Sequence, residues 1–340
     1  MKKRYFLIPA VIVILVSFSL YKEKLVFKIA RANLKKVLPV SKLEIKKIEF
    51  NPLSHLLLQG VSIRSPLQKY SIRLDSVRVD YSLLSILTAT INKIELKGID
   101  VSIQEGIKVN PGKPVFRLRE ISASGSVKFR DVDIRNFKVQ VFQKEFRRPR
   151  LKGSLSAEAI NMQKIKLSGF NAEIDFTPEA LNVPEFDLLA FSGQIKGDAL
   201  ANLSKSAMNF SVNLKGKNVD LARMNEDLDL KEKFQITGLC DFSLIAKGDQ
   251  AGLAELSGNL DTHEGGGKFI IRDEQALSKL NYSQGVSFDL ALESLKNYQY
   301  DKGNARIYTE DGNIVLRMLM DGPSGVRDLT VVYHGGIKFK

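Results

Sequence analysis

Residues 42–63 read "KLEIKKIEFNPLSHLLLQGVSI". Apolar and polar residues alternate on both sides of Asn51-Pro52, a dipeptide that is typical of turns. Such alternation gives strands with one apolar and one polar face, and short turns join them into antiparallel sheet. The stretch therefore predicts paired strands whose apolar face either closes on a second layer or stays free to hold an apolar partner.

The same alternation recurs along most of the chain, and it predicts a mainly β fold built from a long, curled, mostly antiparallel sheet with a few short helices. In one predicted strand the apolar residues Ile72 and Leu74 have even numbers, whereas Val77 and Val79 have odd numbers. An extra residue would keep both pairs on one face, so we expect a β-bulge near Asp75-Ser76. The candidates for the apolar face are Ile72, Leu74, Val77, Val79, Phe170, Ile174, Phe176, Phe210, Val212, Leu214, Phe288, Leu290, Leu292, Ile314, Leu316 and Met318.

The domain organisation follows from composition along the chain. We expect a membrane anchor or signal peptide over 1–24, a basic amphipathic helix over 25–40, an N-terminal β-groove over 41–216, a helical connection over 217–233 and a C-terminal β-groove over 234–340. Residues 46–63 and 92–103 share a Lys-Ile-Glu start and a strand after glycine, which indicates a repeated β unit.

The N-terminus carries a membrane-type segment. Three basic residues precede 17 uncharged residues, Tyr5 to Tyr21, which is the lower limit for a spanning helix. We favour an uncleaved anchor with a cytoplasmic N-terminus over a cleaved signal peptide. The helix that follows either lies on the membrane surface or packs on the first strands. Its basic side carries Lys24, Lys28, Arg31, Lys35 and Lys36.

The net charge of +13 is concentrated at this end of the chain. Residues 1–50 hold 12 Lys and Arg against 3 Asp and Glu, which leaves the other 290 residues close to balance. This distribution favours attraction to anionic lipid head groups, and it argues against a nucleic-acid partner.

Residue patterns for catalysis or metal binding are missing from the sequence. The three histidines are far apart in the sequence, and Cys240 is the single cysteine, so we predict no metal, no cofactor and no catalytic residues. The Gly-rich stretch 263–273, "HEGGGKFIIRD", lacks the phosphate-loop pattern, and we interpret it as a turn or a close backbone approach. We therefore do not expect an enzyme.

Two regions resemble a known family. The anchor, the "IEFNPLSHLLLQGVSI" stretch and "DSVRVDYSLLSILTATINKIELKGIDVSI" resemble the start of AsmA-like proteins. Residues 258–335, with "GGGKFIIRDEQALSKL" and "DGNIVLRMLMDGPS", resemble the end of the YdbH branch, whose older label is dicarboxylate transport. The resemblance implies a single-pass inner-membrane anchor, a curled periplasmic β-sheet and transport of phospholipid towards the outer membrane.

From the alternation and the resemblance we expect phospholipids and the inner membrane as partners, with other envelope proteins or self-association also open. An apolar wall suits acyl chains better than a dicarboxylate, which needs fixed polar groups. The first alternative is an anchored β-sandwich that scaffolds the envelope and carries no lipid. The second is an envelope enzyme whose site is assembled from distant residues. The chain is shorter than the long family members, so bridging both membranes alone stays open.

Overall fold

The computed structural model describes residues 42–65, 70–103, 117–145, 150–203, 209–272 and 297–333, together with Lys28 and Ala32. Within those ranges, positions 52, 83, 86, 87, 89, 233 and 250 are not described. The chain forms two compact units, Met1–Phe146 and Arg147–Lys340. Both are mainly β, which confirms the prediction of a mainly β, mostly antiparallel chain with few helices.

The first unit holds six strands that follow one another in the sheet in chain order: β1 (Lys42–Asn51), β2 (His55–Ser65), β3 (Tyr70–Asp80), β4 (Thr90–Ile103), β5 (Arg117–Phe129) and β6 (Val132–Glu145). Neighbouring strands are antiparallel, except that β4 and β5 are parallel. Parallel neighbours need a crossover connection, which separates β4 from β5 by more residues than a hairpin turn uses.

The second unit holds a main sheet and a small sheet. The main sheet has the order β7 (Arg150–Met162), β8 (Ile165–Phe176), β9 (Ala180–Ala190), β10 (Gly193–Asn202), β11 (Asn209–Asp220), β13 (Leu239–Asp249), β14 (Gly252–Thr262), β17 (Lys302–Glu310), β18 (Asn313–Asp321) and β19 (Arg327–Tyr333). The small sheet has the order β12 (Phe234–Ile236), β15 (Gly267–Ile271) and β16 (Tyr298–Tyr300). Helix α1 (Leu221–Asp227) follows β11.

The predicted helical connection over 217–233 does contain α1. The strands on either side of it, β11 and β13, nevertheless pair directly, so one sheet continues across this stretch. The two compact units divide instead between residues 146 and 147. Sequence composition locates a helix well, but it does not reveal whether the strands before and after that helix are neighbours.

The phase change in β3 has a different origin from the predicted bulge. Leu74 pairs with Val61 and Ser76 with Gln59, so β2 and β3 use equal numbers of residues and no residue is inserted. The register between β3 and β4 is equally regular over the same positions. The prediction of an extra residue near Asp75-Ser76 is therefore wrong.

Instead, four strands change phase together at one row. That row consists of Lys46 in β1, Gly60 in β2, Asp75 in β3 and Gly98 in β4, and both glycines have φ of 61°. The left-handed region is open to glycine at little cost, whereas other L-residues are strained there. Because β1, β2, β3 and β4 change phase at the same row, their pairing continues, and apolar residues oppose apolar residues on both sides of the row.

Candidate functional site

The first unit presents an apolar face, called here the first face, made of cross-strand rows. In each row, directly opposed residues from six neighbouring strands are apolar, and opposed residues in a sheet lie on the same side. Three complete rows are Phe50/Leu56/Val79/Ile94/Ile121/Val141, Ile48/Leu58/Val77/Leu96/Ala123/Val139 and Leu43/Ile63/Ile72/Val101/Val127/Ile134. The candidates Ile72, Val77 and Val79 lie in these rows, and Leu74 opposes Val61.

The first face is only half-buried. Among the described residues of this unit, the buried apolar side chains are Ile48, Val61, Tyr70 and Val141. The other members of the three rows are half-exposed. The principal contacts of these strands are with their neighbours in the sheet. The described part of this unit thus gives the first face no second layer.

The second unit continues the same design in longer rows, which together form the second face. The Phe186 row is Leu155/Ala172/Phe186/Gly197/Leu214/Leu244/Gly258/Ile307/Leu316, and the Phe242 row is Leu188/Ile195/Gly216/Phe242/Leu260/Ala305/Met318/Leu329. The Val212 row is Val183/Ala199/Val212/Ala246/Leu256, and the Phe210 row is Leu151/Phe176/Leu181/Ala201/Phe210/Gly248/Leu253.

The predicted candidates in this unit are on that face. Leu214, Leu316, Met318, Val212, Phe176 and Phe210 are members of the four rows. Ile174 opposes Gly153, Phe170 opposes Ala157, and Ile314 opposes Thr309 on the same side. Phe288, Leu290 and Leu292 lie outside the described residues.

Glycines on the second face are covered by aromatic rings from the neighbouring strand. A Cβ added at Gly197 would meet a ring atom of Phe186 at 2.7 Å, and one added at Gly248 would meet Phe210 at the same distance. At Gly216 an added Cβ would overlap the Phe242 ring. Rings that lie over glycines fill the gaps in a sheet surface. The second face is therefore continuous and apolar even where no side chain is present.

Sequence reasoning missed several residues of the second face, including Phe186, Leu188, Phe242 and Leu244. In β9 the apolar positions change phase between Val183 and Phe186, and in β13 Gly248 occupies an apolar position, so the alternation looks interrupted in both strands. The signal that finds them is a glycine at an apolar position whose neighbouring strand carries a Phe or Leu.

Helix α1 and the small sheet form a second layer on part of the second face, and together they are called the cap. Leu221 of α1 is fully buried with Val219 and Cys240, and Met224 and Ile236 pack on the same cluster. Phe269, Tyr298 and Tyr300 of the small sheet form a buried cluster with Met320 and Leu329. The cap thus covers Phe242, Leu260, Met318 and Leu329 of the Phe242 row and the strand ends beyond them.

The local sequence explains how the cap is held. Asp220 caps α1, because its Oδ1 accepts hydrogen bonds from the backbone N–H groups of Ala222 at 2.8 Å and Arg223 at 3.3 Å. The Tyr300 hydroxyl donates to the Thr237 carbonyl at 2.5 Å, and the Tyr298 hydroxyl donates to the Gly325 carbonyl at 2.5 Å. Burial raises the pKa of Tyr300 to about 12, so the hydroxyl keeps its proton.

Within the Gly-rich stretch 263–273, β15 belongs to the cap, and the turn before it carries Gly265 and Gly266. A Cβ added at Gly267 would overlap the Thr237 carbonyl, and one added at Gly266 would overlap the Tyr300 carbonyl. Gly266 also has φ of 54°. These contacts agree with the predicted close backbone approach, and they let β15 lie tightly between β12 and β16.

The ion pairs of Lys93 and Arg150 lie on the other side of the strands from the apolar rows, whereas Arg327 opposes Met320 and lies over the Tyr298 ring at 5.2 Å. Lys93 Nζ is 2.9 Å from Glu120 Oε1. Arg150 binds Asp175 with two hydrogen bonds, from Nε at 2.8 Å and from Nη2 at 2.5 Å, and Lys152 Nζ is 3.2 Å from the same carboxylate. The Arg150 guanidinium, with Lys152, lowers the pKa of Asp175 to about 2. These pairs keep charge off the apolar rows.

Groups with catalytic potential are few in the described residues. His263 Nε2 is 2.9 Å from Asp241 Oδ1, and His55 Nδ1 is 2.9 Å from Ser54 Oγ, whereas His334 lies outside the described residues. Burial raises the pKa of the Cys240 thiol to about 12, so it is not a thiolate nucleophile. Within the described ranges, no three His, Cys, Asp or Glu side chains are placed to hold a metal ion.

The predicted membrane elements mostly lie outside the described residues. Lys24, Arg31, Lys35 and Lys36 are among these, and Lys28 is described as helical and exposed. Among the described residues, no helix is long and apolar enough to span a bilayer.

Comparison of the chain with protein-family models, with curated proteins and with solved structures gives no match. The resemblance to AsmA-like proteins stays a prediction.

Proposed function

We propose that this chain is an anchored periplasmic β-groove protein that binds phospholipid acyl chains and assists lipid transport between the inner and outer membranes. The observation that supports this proposal is the run of apolar rows across consecutive strands, half-exposed on the first face and free of charged side chains. In this proposal each sheet curls around its apolar face, and the N-terminal segment anchors the chain in the inner membrane.

The physical reason concerns what such a surface can bind. Removing hydrocarbon from water gains about 0.8 kcal/mol per CH₂ group, and an apolar wall supplies this gain without directional bonds. A chain held in this way can slide from row to row, because neighbouring positions are energetically alike. A polar cargo would need hydrogen-bonding partners inside the groove. The rows offer almost none, since Thr309 is a rare polar member next to them.

An anchored scaffold without lipid cargo is the second candidate, and the cap favours it. Cap residues bury Met320 and Leu329 to about the extent seen in an ordinary protein core. A scaffold needs its apolar surface covered, and here part of the second face is covered. The described part of the first unit places no second layer on the first face, which favours lipid binding over the scaffold.

Site-specific photo-crosslinking distinguishes these functions. Benzoylphenylalanine is placed at Leu74 on the first face or Leu214 on the second face, in the full chain in cells. Its matched controls are Arg73 and Lys215, the adjacent exposed residues on the same strands. After irradiation, phospholipid attached to the purified chain is measured by mass spectrometry.

We expect phospholipid adducts at Leu74 and Leu214, and several-fold fewer at Arg73 and Lys215. Neighbours in a strand point to opposite sides, so only the apolar side meets acyl chains. Equal adducts at all four positions would indicate nonspecific contact with membrane. Absence of adducts at all four would favour the scaffold.

A further inference from the structure

The cap covers the second face unevenly. Its contacts fall on the row that ends in Met318 and Leu329 and on the strand ends beyond it, where Val219 and Cys240 are fully buried. These positions are all near one end of their strands: the last residues of β11, β14 and β18 and the first residues of β13, β17 and β19. The cap is therefore a wall along one side of the second face.

The rows farther from that wall have no second layer among the described residues. Leu316 and Ile307 in the Phe186 row and Val212 and Ala246 in the Val212 row are half-buried. Other members of the same rows are buried, namely Ala172, Phe186 and Leu256. The buried cluster around Phe186 and Leu188 is packed by apolar residues of the sheet itself and its turns. No residue of α1 or of the small sheet contributes to that cluster.

We propose that the cap is a one-sided wall that confines acyl chains to the Phe186 and Val212 rows and directs phospholipid head groups to the opposite strand ends. This inference rests on the proposed lipid-binding function. The opposite ends are marked by Asn209, Asp249, Gly252, Glu310 and Asn313, at the start of β11, the end of β13, the start of β14, the end of β17 and the start of β18.

The chemistry of the rows supports hydrocarbon as the occupant. The Phe186 and Val212 rows contain only Leu, Ile, Val, Phe, Ala and Gly, so they offer no donor or acceptor beyond the paired backbone. A charged head group placed there would lose its hydration without a replacement. On the cap side Tyr298 and Tyr300 are each 1% exposed, so these two packed side chains leave no room for a head group. Within the described ranges, the uncapped strand ends are therefore where head groups reach water.

Strand β18 provides the test, because its side chains lie in the uncapped part of the second face, under the cap, and on the opposite side of the sheet. Leu316 lies in the uncapped Phe186 row, Met320 lies under the cap and is 4% exposed, and Leu319 faces the other side and is 47% exposed. The full chain is reconstituted with vesicles of phosphatidylethanolamine and phosphatidylglycerol. The vesicles contain a phospholipid with a diazirine at the acyl terminus or, separately, in the head group.

After irradiation, peptide mass spectrometry maps the labelled residues. With the acyl probe we expect strong labelling at Leu316 and labelling several-fold weaker at Met320 and Leu319. With the head-group probe we expect label near Asp249 and Glu310, and little near Asp321 and Arg327. Equal acyl labelling of Leu316 and Met320, or head-group label on the cap side, would contradict the proposal that the cap confines the acyl chains. Labelling of no residue on either face would instead overturn lipid binding itself.

A cap variant completes the test. In Gly267→Val the new side chain overlaps the Thr237 carbonyl and separates β15 from β12. Acyl labelling should then rise at Met320 while Leu316 stays labelled, which also reports that the sheet remains folded. The control is Gly265→Ala in the same loop, where an added Cβ meets nothing within 4 Å. Unchanged protection of Met320 in Gly267→Val, with β15 shown by hydrogen exchange to be displaced, would contradict the wall.

Discussion

Gly98 belongs to the row at which β1 to β4 change phase, and its position there predicts how a substitution changes the stability of the protein. Its φ of 61° is strained for alanine, at about 1–2 kcal/mol. In addition, an added Cβ would lie 2.8 Å from the Asp75 Cβ and would overlap the Asp75 carboxylate. Rotation of the Asp75 side chain relieves the carboxylate contact but leaves the Cβ contact, so overpacking adds about 1–2 kcal/mol. We expect Gly98→Ala to lower the free energy of unfolding by about 2–4 kcal/mol.

Gly169 is the matched control. It has φ of 60°, but an added Cβ there meets nothing within 4 Å. Gly169→Ala should therefore cost only the conformational part, about 1–2 kcal/mol. The difference between the two alanine variants isolates the contact with Asp75. A double variant with Asp75→Gly should recover that difference, which a double-mutant cycle reports as a coupling of about 1 kcal/mol or more.

Urea unfolding followed by circular dichroism measures these differences, and hydrogen exchange of the β3 and β4 amides shows whether the loss is local. Two results would contradict the contact between Gly98 and Asp75. One is a loss below about 0.5 kcal/mol for Gly98→Ala, which is the range of neutral surface substitutions. The other is strict additivity with Asp75→Gly, because the glycine and the carboxylate would then not share the row.

Three further predictions concern charge, reactivity and packing. The pKa of Asp175 is about 2 in the folded chain and about 3.9 in the unfolded chain. The stability that the pair with Arg150 gives the protein is therefore complete above pH about 4 and is lost as the pH falls towards 2. Asp175→Asn should remove about 1–2 kcal/mol of this pH dependence, measured by urea unfolding at pH 7 and at pH 2.5. Cys240, with a pKa near 12, should resist iodoacetamide at pH 8 and react only when urea unfolds the cap, and rapid labelling of the folded chain would contradict its burial. Leu221→Ala should cost about 2–5 kcal/mol, since Leu221 is fully buried, whereas Leu228→Ala at a 40% exposed position should stay within about 0.5 kcal/mol; equal costs would argue against the packing of α1.

The alternation of side chains could be predicted from the sequence, because it depends only on the period of a strand. Every described candidate, from Ile72 to Met318, lies on the apolar side of its strand, and the turn and helix signals around α1 were also local. The error at Asp75 has the same origin. A phase change in one strand predicts an inserted residue, and only the neighbouring strands show that four strands change together.

What the sequence alone determined is which residues are apolar on each strand and that strands of this kind form a mainly β chain. The tertiary structure decided the parallel pairing of β4 and β5, the placement of Phe rings over glycines on the next strand, and the packing of the cap on one side of the second face. These features depend on contacts between residues far apart in the chain, such as Tyr300 and Thr237. Local periodicity carries no information about such contacts, and they decide which part of the second face the cap covers.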